Sequence, residues 1–574
     1  MLKVLMRLLA VAWVGIPFAA IGADGPGGGM HSASWDSFVQ KYLTEYFQGH
    51  PDLGVNAGRH EFDGRLPDWS PDGLKKVAEQ LHRAREQALK FDAASLDTRQ
   101  QLERDYLVAR VDGELFWREA AQWPFKNPQF YADISQGLDP SAYLTRPYAP
   151  LEKRMKAYIA YAAAVPRGVE QVKANLRTPM PKSYVKLGRD TFGGLASYLE
   201  KDVPPIFAPV KAKGLQADFA AANTSAAKAF KDLDAWFAAQ EAGANDAFAL
   251  GPELFSQMIR ATEMVDIPLD QLRAIAKQDL DRNLAALREA SAAYAPGKTV
   301  TEALEKMSHH KPSGGPIPGA RAQLAGLKQF ILEKGLLTIP SPQEAEVHEA
   351  PPYQRWNFAY IDIPGPYDKG LPSVYYIAPP DPAWSAAEQE AYLPAASDLL
   401  FTSVHEVWPG HFLQFLHSNR SRSKFGQVFV GYAFSEGWAH YAEEMMWEAG
   451  LGNQDPETQI GQLLNALLRN VRFLSAIGLH AGGMTVADSE KMFREQGFQD
   501  AGNARQQAAR GTFDPAYLNY TMGKLMIRKL RYDWTRSRGG RAAWKAFHDE
   551  FLSYGGPPIP LVRKAMLGSE GSLF

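Results

Sequence analysis

The chain has 574 residues, of which 62 are Lys or Arg and 64 are Asp or Glu, so its formal net charge is −2. This balance argues against a nucleic-acid-binding protein, which usually has a basic face. The 45% apolar and 22% charged residues are typical of a globular protein rather than a disordered, collagen-like or multispanning membrane protein. The absence of cysteine excludes disulfides and thiol chemistry, so catalysis would depend on His, carboxylates, Tyr, Ser or a metal that His and carboxylates hold.

The N-terminal segment has the pattern of a secretory signal peptide covering the first 23 residues. Lys3 and Arg7 form a short basic region, the apolar run Leu8 to Ala20 follows, and small residues precede Asp24, where cleavage is expected. A membrane anchor is the alternative, but the run is short for a span and Pro17 interrupts it. We expect an exported protein, periplasmic or extracellular, without stable membrane insertion after cleavage.

Amphipathic helix periodicity dominates the rest of the chain, and proline and glycine clusters separate the periodic segments. The predicted helices are 34–48, 74–91, 98–121, 151–176, 210–239, 270–293, 320–334, 397–420, 431–448, 458–480, 488–496, 516–535 and 541–552. We expect a mainly α, multi-helix protein. Its N-terminal helical region (24–340) and a second region that carries the candidate site (341–574) are expected to form one continuous unit of about 35–570.

Two short segments break the helical pattern. Asn357 to Ile363 and Ser373 to Ile377 are rich in β-branched and aromatic residues, and a Pro/Gly/Asp stretch separates them. They predict a small hairpin or ribbon. Because it lies just upstream of the histidine-rich part of the chain, this ribbon is a candidate for binding an extended peptide by strand addition.

Five of the 13 histidines lie between residues 401 and 480, where the segment HEVWPGH spans His405 to His411. Zinc peptidases carry H-E-x-x-H on a helix, with two ligands one turn apart and a Glu that acts on the bound water. Here the second His is at i+6, which an undistorted helix places roughly 120° around its axis. Pro409 removes a backbone hydrogen bond and Gly410 tolerates unusual dihedrals, so we predict a kink or bulge that returns His411 to the metal face.

A third ligand is predicted on the next helical segment. Glu436 would complete a His₂Glu site with an open position for water, and nitrogen and oxygen ligands without thiolate favour Zn²⁺. His440 shares the helix face of Glu436 and is a candidate for orienting a ligand. The alternative is that all these residues are structural, since an isolated His-Glu pair carries little information.

Several neighbouring residues are expected to have ordinary structural roles. His417 is interpreted as a surface or packing residue. Glu443 and Glu444 are interpreted as a solvated helix face, although Glu443 shares the face of Glu436. The same predicted helix also carries four residues that are expected to lie in the core, namely Trp438, Tyr441, Met445 and Met446.

Five motifs together resemble the DUF885 family of bacterial proteins, which is similar to a divergent branch of the gluzincin metallopeptidases. The motifs are GVNAGRHEFDGRLPDWS (54–70), HEVWPGH (405–411), EGWAHYAEE (436–444), RFLSAIGLH (472–480) and YLNYTMGK (517–524). The resemblance covers most of the mature chain and implies a largely helical, metallopeptidase-like fold. It implies His405, His411 and Glu436 as metal ligands and Glu406 as the general base.

Further candidates could stabilise an oxyanion or bind a peptide carboxylate. Tyr517 and Tyr520 are candidate oxyanion donors, and the resemblance favours Tyr520. Arg472 and His480 lie two turns apart on one predicted helix, and packing is the alternative for each. Ala476 departs from the family, whose members often have Asp there.

We therefore expect a secreted, zinc-dependent, peptidase-like hydrolase that acts on a peptide or a small amide substrate and does not bind nucleic acid. Two alternatives remain open at this point. One is a non-catalytic binding protein that retains the fold, and the other is a metal hydrolase of a non-peptide amide or ester. The oligomeric state is not predicted.

Overall fold

The computed structural model describes residues 32–132, 137–355 and 358–574. The predicted signal peptide lies outside these residues, as does Asn357 at the start of the predicted ribbon. The protein is mainly α-helical with one small sheet, as predicted.

The helices of the first half of the chain are α1 (Ser32–Gly49), α2 (Pro51–Asn56), α3 (Pro71–Leu89), α4 (Thr98–Leu115), α5 (Trp123–Lys126), α6 (Gln129–Ala132), α7 (Ser141–Leu144), α8 (Leu151–Asn175), α9 (Lys182–Lys201), α10 (Val203–Phe207), α11 (Lys213–Ala238), α12 (Pro252–Glu263), α13 (Leu269–Tyr294), α14 (Val300–Ser308) and α15 (Pro316–Lys334). Local sequence sets several of the starts. Asp97 and Gln100 form a capping box at α4, and Thr299 and Glu302 form one at α14.

The helices of the second half are α16 (Ala386–Tyr392), α17 (Ala396–Glu406), α18 (His411–Ser418), α19 (Lys424–Val428), α20 (Tyr432–Glu448), α21 (Pro456–Ala481), α22 (Val486–Glu495), α23 (Ala501–Phe513), α24 (Asn519–Thr535), α25 (Trp544–Ser553) and α26 (Ile559–Leu567). None of the helices that the structure describes combines the length and apolar character needed to cross a membrane.

Helices α8, α9 and α11 pack together around an aromatic core in the N-terminal half. The sequence pattern does not predict α9, because Gly188, Gly193 and Gly194 lower its helix propensity. Tertiary contact explains Gly188, where a Cβ atom would lie 2.5 Å from the ring of Phe237 on α11. Packing against α11 therefore outweighs the weak propensity of this segment.

The sheet contains β1 (Ala345–Glu349), β2 (Ala359–Asp362) and β3 (Ser373–Ile377) in the order β1-β3-β2. The predicted ribbon is the antiparallel pair of β2 and β3, in which Tyr360 lies opposite Tyr376. Strand β1, which the sequence did not predict, adds in parallel to β3. Both β1 and β2 are edge strands, and β2 contacts α17.

Helices α17, α20, α21 and α24 surround the second large core. Helices α20 and α24 cross closely at two glycines, since a Cβ atom on Gly437 would lie 2.5 Å from the Cα atom of Gly523. This close approach places the first turn of α24 beside the end of α17. The rings of Tyr520 and His405 consequently stack with their centroids 5.9 Å apart.

Candidate metal centre

The HEVWPGH segment forms two helices rather than the single kinked helix that we predicted. Helix α17 ends at Glu406 and α18 begins at His411, with a cis peptide bond between Trp408 and Pro409 in the intervening turn. The helix is interrupted for the predicted physical reason, since proline cannot donate the hydrogen bond that would continue it. The side chain of His411 nevertheless returns to the side of His405, as predicted.

Gly410 makes this turn sterically possible. A Cβ atom at residue 410 would lie 1.7 Å from the carbonyl oxygen of His405, so no larger residue fits without rearranging the backbone. The turn is held from α20 as well, where the indole nitrogen of Trp438 donates a hydrogen bond of 2.8 Å to the carbonyl of Pro409. Trp438 is fully buried, as the sequence predicts for a core residue.

His405, His411 and Glu436 converge from α17, α18 and α20. Their donor atoms all lie within 4.8 Å of one another. The Nε2 atoms of His405 and His411 lie 3.2 and 3.1 Å from the same carboxylate oxygen of Glu436. Two imidazole nitrogens and one carboxylate oxygen form the donor set of a zinc site with one position left open, so these residues fit the metal ion that the sequence predicts.

Hydrogen bonds at the far side of each ring orient the two histidines. Nδ1 of His405 donates to Glu443 at 2.7 Å, and Nδ1 of His411 lies 3.1 Å from the hydroxyl of Ser435. Burial by itself would lower the pKa of His405, but its bonds to Glu436 and Glu443 raise it. Because Nδ1 of each ring is held by Glu443 or Ser435, both rings present Nε2 to Glu436, as is usual for histidines whose second nitrogen has a partner.

The interpretation of Glu443 as a solvated residue is wrong. Its side chain is completely buried. It receives hydrogen bonds from His405 and from Nδ1 of His440 at 3.2 Å, and Arg469 lies 3.4 Å away. Burial would raise the pKa of Glu443, but Arg469 and the two histidines hold it well below its ordinary value. His440 thus contacts Glu443 rather than a candidate metal ligand directly.

Glu444 is buried as well, which corrects the second part of that interpretation. Arg282 donates two hydrogen bonds to its carboxylate at 2.9 and 3.0 Å, and Lys524 lies 3.3 Å from it. Lys524 is itself fully buried and bonds to Asp279 at 2.6 Å. Buried charges are tolerated when they are paired in this way.

Glu406 lies beside the three candidate ligands without joining them. It is the last residue of α17 and its side chain is buried. Burial raises its pKa, His405 and His411 act in the opposite direction, and Glu436 adds to the rise. The carboxylate is therefore close enough to His405 and His411 to interact with them electrostatically.

Tyr520 also belongs to the centre. Its ring stacks on His405, and its hydroxyl oxygen lies 3.4 Å from a guanidinium nitrogen of Arg510. Burial raises the pKa of Tyr520 and Glu436 adds to the rise, so the phenol keeps its proton at neutral pH. The guanidinium carbon of Arg472 lies 4.6 Å from the centroid of the same ring.

Three other predicted residues are not brought to this cluster. Tyr517 is buried and donates to Ser475 at 2.8 Å. His480 bonds through Nε2 to the carbonyl of Gly511 at 2.7 Å and accepts from the amide of Leu250 at 3.3 Å, so the main chain satisfies both ring nitrogens. His417 bonds to the carbonyl of Thr338, in keeping with its predicted structural role.

Ser435, Glu443 and Arg510 are parts of the centre that sequence reasoning missed or misassigned. A signal for Glu443 was present, since it shares the helical face of Glu436 at i+7. No comparable pattern marks Arg510, which reaches Tyr520 from α23 through the packing of separate helices.

Comparison with known proteins places this architecture in a family. A solved structure of a candidate lipoprotein of unknown function from Shewanella oneidensis is 23% identical, with a TM-score of 0.75 over 93% of this chain and all (100%) of that chain. A second solved structure, of a candidate lipoprotein from Colwellia psychrerythraea, is 17% identical, with a TM-score of 0.77 over 94% of this chain and 99% of that chain. At these identities the likeness shows the fold alone. No protein of curated function matches the sequence. The family model described as "Bacterial protein of unknown function (DUF885)" matches residues 51–566, and the chain therefore belongs to the DUF885 family.

Proposed function

We propose that this protein is an exported, zinc-dependent hydrolase that cleaves peptide bonds. The observation that carries the proposal is the convergence of His405, His411 and Glu436 within 4.8 Å, with the buried carboxylate of Glu406 next to them. The donor set supports a catalytic rather than a structural zinc site, because structural sites use four protein ligands and catalytic sites leave one position open.

His405, His411 and Glu436 would hold the metal. Bound zinc supplies Lewis acidity, which polarises a carbonyl group and lowers the pKa of a water molecule. Glu443 and Ser435 would keep the two imidazoles in the tautomer that binds metal through Nε2, since the oxygen of each would accept a hydrogen bond from Nδ1–H of a histidine.

Glu406 would act as the general base and then as the general acid. Its carboxylate accepts a proton from the attacking water and returns that proton to the leaving amine. Its burial favours this role, because a carboxylate whose pKa is raised holds the transferred proton more readily than an exposed one.

Tyr520 would stabilise the negative charge that develops on the carbonyl oxygen. Its hydroxyl oxygen is held by Arg510 at 3.4 Å, which leaves its own hydrogen available for donation. Its raised pKa keeps that hydrogen in place at neutral pH. Edge strand β2, which packs against α17, is the proposed docking strand for an extended substrate.

The decisive experiment compares Glu406→Gln with wild type in zinc content, melting temperature and turnover on a peptide library. The nearly isosteric amide is expected to leave zinc and folding close to wild type. Turnover should fall by about 10² to 10⁴, which corresponds to roughly 3 to 5 kcal/mol.

Glu114→Gln is a matched control. Glu114 is also buried, but its partners His50, Arg118 and Tyr46 belong to the N-terminal half. This variant is expected to lose stability while keeping its turnover per folded molecule.

Each contrary outcome identifies a different alternative. A Glu406→Gln variant that retains the wild-type rate would contradict the role of Glu406. A wild type that binds zinc but cleaves no peptide in the library would favour a non-catalytic binding protein. Cleavage restricted to non-peptide amides or esters would favour the other metal hydrolase.

Export is a separate part of the proposal. It is supported by the signal-like pattern before Asp24 and by the lipoprotein descriptions of the two solved relatives. N-terminal sequencing of the protein isolated from its native cells should begin near Asp24. A protein that still begins at Met1 in the cytoplasm would contradict export.

A further inference from the structure

Arg472 is a buried cation that has no carboxylate partner among the residues that the structure describes. Its side chain is only 4% exposed. Within the described residues its guanidinium makes one hydrogen bond, which Nε donates to the amide oxygen of Gln507 at 2.8 Å. Burial lowers the pKa of Arg472, and the charged or titratable neighbours that also act on it are two tyrosines and two arginines. A buried charge of this kind is costly unless an anion pairs with it.

Two neighbouring arginines, one on α21 and one on α23, are each paired with a carboxylate. Arg469, one turn earlier on α21, lies 3.4 Å from Glu443 and donates to Asn465 at 2.6 Å. Arg510 lies 2.9 Å from Asp514. Among these three arginines of the described chain, Arg472 therefore differs in having no ion pair with a described carboxylate.

The ring of Tyr520 contacts both the Arg472 guanidinium and the candidate ligand His405. The guanidinium carbon lies 4.6 Å from the centroid of Tyr520, and that ring lies 5.9 Å from the ring of His405. The guanidinium thus contacts the ring that carries the proposed oxyanion donor. The span from His405 is at most the sum of these two distances, which about three residues of extended chain can bridge.

We propose that Arg472 binds a carboxylate of the substrate, so that this centre prefers peptides with an anionic group within about three residues of the scissile bond. This inference rests on the proposed function and narrows its substrate class. Arginine suits the task because its planar fork binds a carboxylate through two hydrogen bonds. Position favours substrate binding over oxyanion stabilisation, since Arg472 contacts the ring of Tyr520, whose hydroxyl group is the proposed oxyanion donor.

The test measures dissociation constants and turnover for three kinds of N-acetylated peptide with the zinc-loaded full-length protein. The first has a free C-terminal carboxylate, the second is its C-terminal amide, and the third is an amide with Asp or Glu near the C-terminus. We expect the free acid to bind about 10- to 100-fold more tightly than the amide. The third peptide identifies the source, because tight binding would show that an acidic side chain also serves.

The acid-to-amide ratio is the affinity for the free-acid peptide divided by the affinity for its C-terminal amide. Arg472→Met should lose this preference for the free acid, and Arg472→Lys should retain part of it. A ratio in Arg472→Met equal to that of wild type would overturn the inference. Turnover that persists with no acid-to-amide preference in wild type contradicts this inference alone. Binding that depends on Arg472, without any turnover, contradicts the proposed function alone.

Stability gives a readout that does not depend on activity. Removal of an unpaired buried charge should lower the melting temperature of Arg472→Met by less than about 2 °C or raise it. Arg469→Met is the matched control and should be clearly destabilised, because it leaves Glu443 without this partner. Equal destabilisation of both variants, with an unchanged acid-to-amide ratio, would assign Arg472 a structural role and overturn the inference.

Discussion

The carboxylate of Glu443 accepts a hydrogen bond of 2.7 Å from Nδ1 of His405, whose other ring nitrogen lies 3.2 Å from Glu436. One buried anion thereby sets the orientation of one candidate metal ligand. Glu443 is in turn held by His440 and Arg469, so the geometry of the centre depends on residues from three helices.

Glu443→Gln is expected to weaken zinc binding by about 10- to 100-fold, the usual effect of removing a partner of a metal-bound histidine. A competition titration with a zinc chelator measures this directly. Glu444→Gln is the control, because it removes the adjacent buried carboxylate, which bonds to Arg282 instead of His405. It should lose stability and keep its zinc affinity, and equal zinc loss in both variants would argue against the role of Glu443.

His411→Ala should lose most of the bound zinc despite the i+6 spacing, because Nε2 of His411 reaches the same oxygen of Glu436 as His405 does. Zinc per chain, measured by elemental analysis after dialysis, checks this. His417→Ala, a substitution on the same helix, should keep about one zinc per chain. Full zinc in His411→Ala would show that another residue supplies the ligand.

Gly410→Ala should disrupt the turn between α17 and α18, since the added carbon would lie 1.7 Å from the carbonyl oxygen of His405. We expect a loss of about 3 kcal/mol or more in the free energy of unfolding, together with reduced zinc content. Gly326→Ala in α15 is the control, because nothing lies within 4 Å of its added carbon. That change should stabilise the helix by up to about 1 kcal/mol. Urea titrations of both variants decide the matter, and a stable, zinc-loaded Gly410→Ala would refute the steric argument.

Lys524→Met should lower the free energy of unfolding by about 3 to 5 kcal/mol, because it leaves Asp279 and Glu444 short of a buried cation. Lys186→Met removes an exposed lysine paired with Asp190 and should change stability by less than about 1 kcal/mol. Denaturant midpoints compare the two. Similar small changes would mean that the surrounding arginines compensate for Lys524.

Glu263 should make stability depend on pH. Burial raises its pKa from 4.5 to about 8, and Asn519 and the backbone of Ala433 offset this only in part. Its contribution to stability is fully present below pH 4.5 and is lost as the pH rises towards 8, because the folded protein holds the proton more tightly than the unfolded chain. Between these limits the loss is about 1.4 kcal/mol per pH unit.

Glu263→Gln removes this titration. Its stability relative to wild type should therefore increase between pH 5.5 and pH 8.5, as urea midpoints would reveal. A difference that is the same at both pH values would show that Glu263 does not carry the predicted shift.

Much of this protein can be predicted from sequence alone. Amphipathic periodicity identifies the long helices, because a helix that covers a core repeats its apolar residues every 3.6 positions. Proline and glycine inside HEVWPGH indicate that the helix is interrupted there, and residue chemistry selects His405, His411 and Glu436 as candidate ligands.

The remaining features depend on tertiary contacts. Helix α9 forms despite its glycines because Gly188 packs against Phe237. Strand β1 joins the sheet through β3, a partner that follows it by more than twenty residues. Local propensity contains no information about such contacts.

The charged residues show most clearly what sequence patterns cannot predict. Periodicity places Glu443 and Glu444 on a helix, but a carboxylate is solvated or buried according to which cations other helices bring to it. Arg469 from α21 and Lys524 from α24 arrive only when the chain has folded. The sequence alone therefore determined the helical architecture and the choice of candidate metal ligands. Tertiary structure decided which charges are buried, because pairing with distant cations offsets the cost of removing them from water.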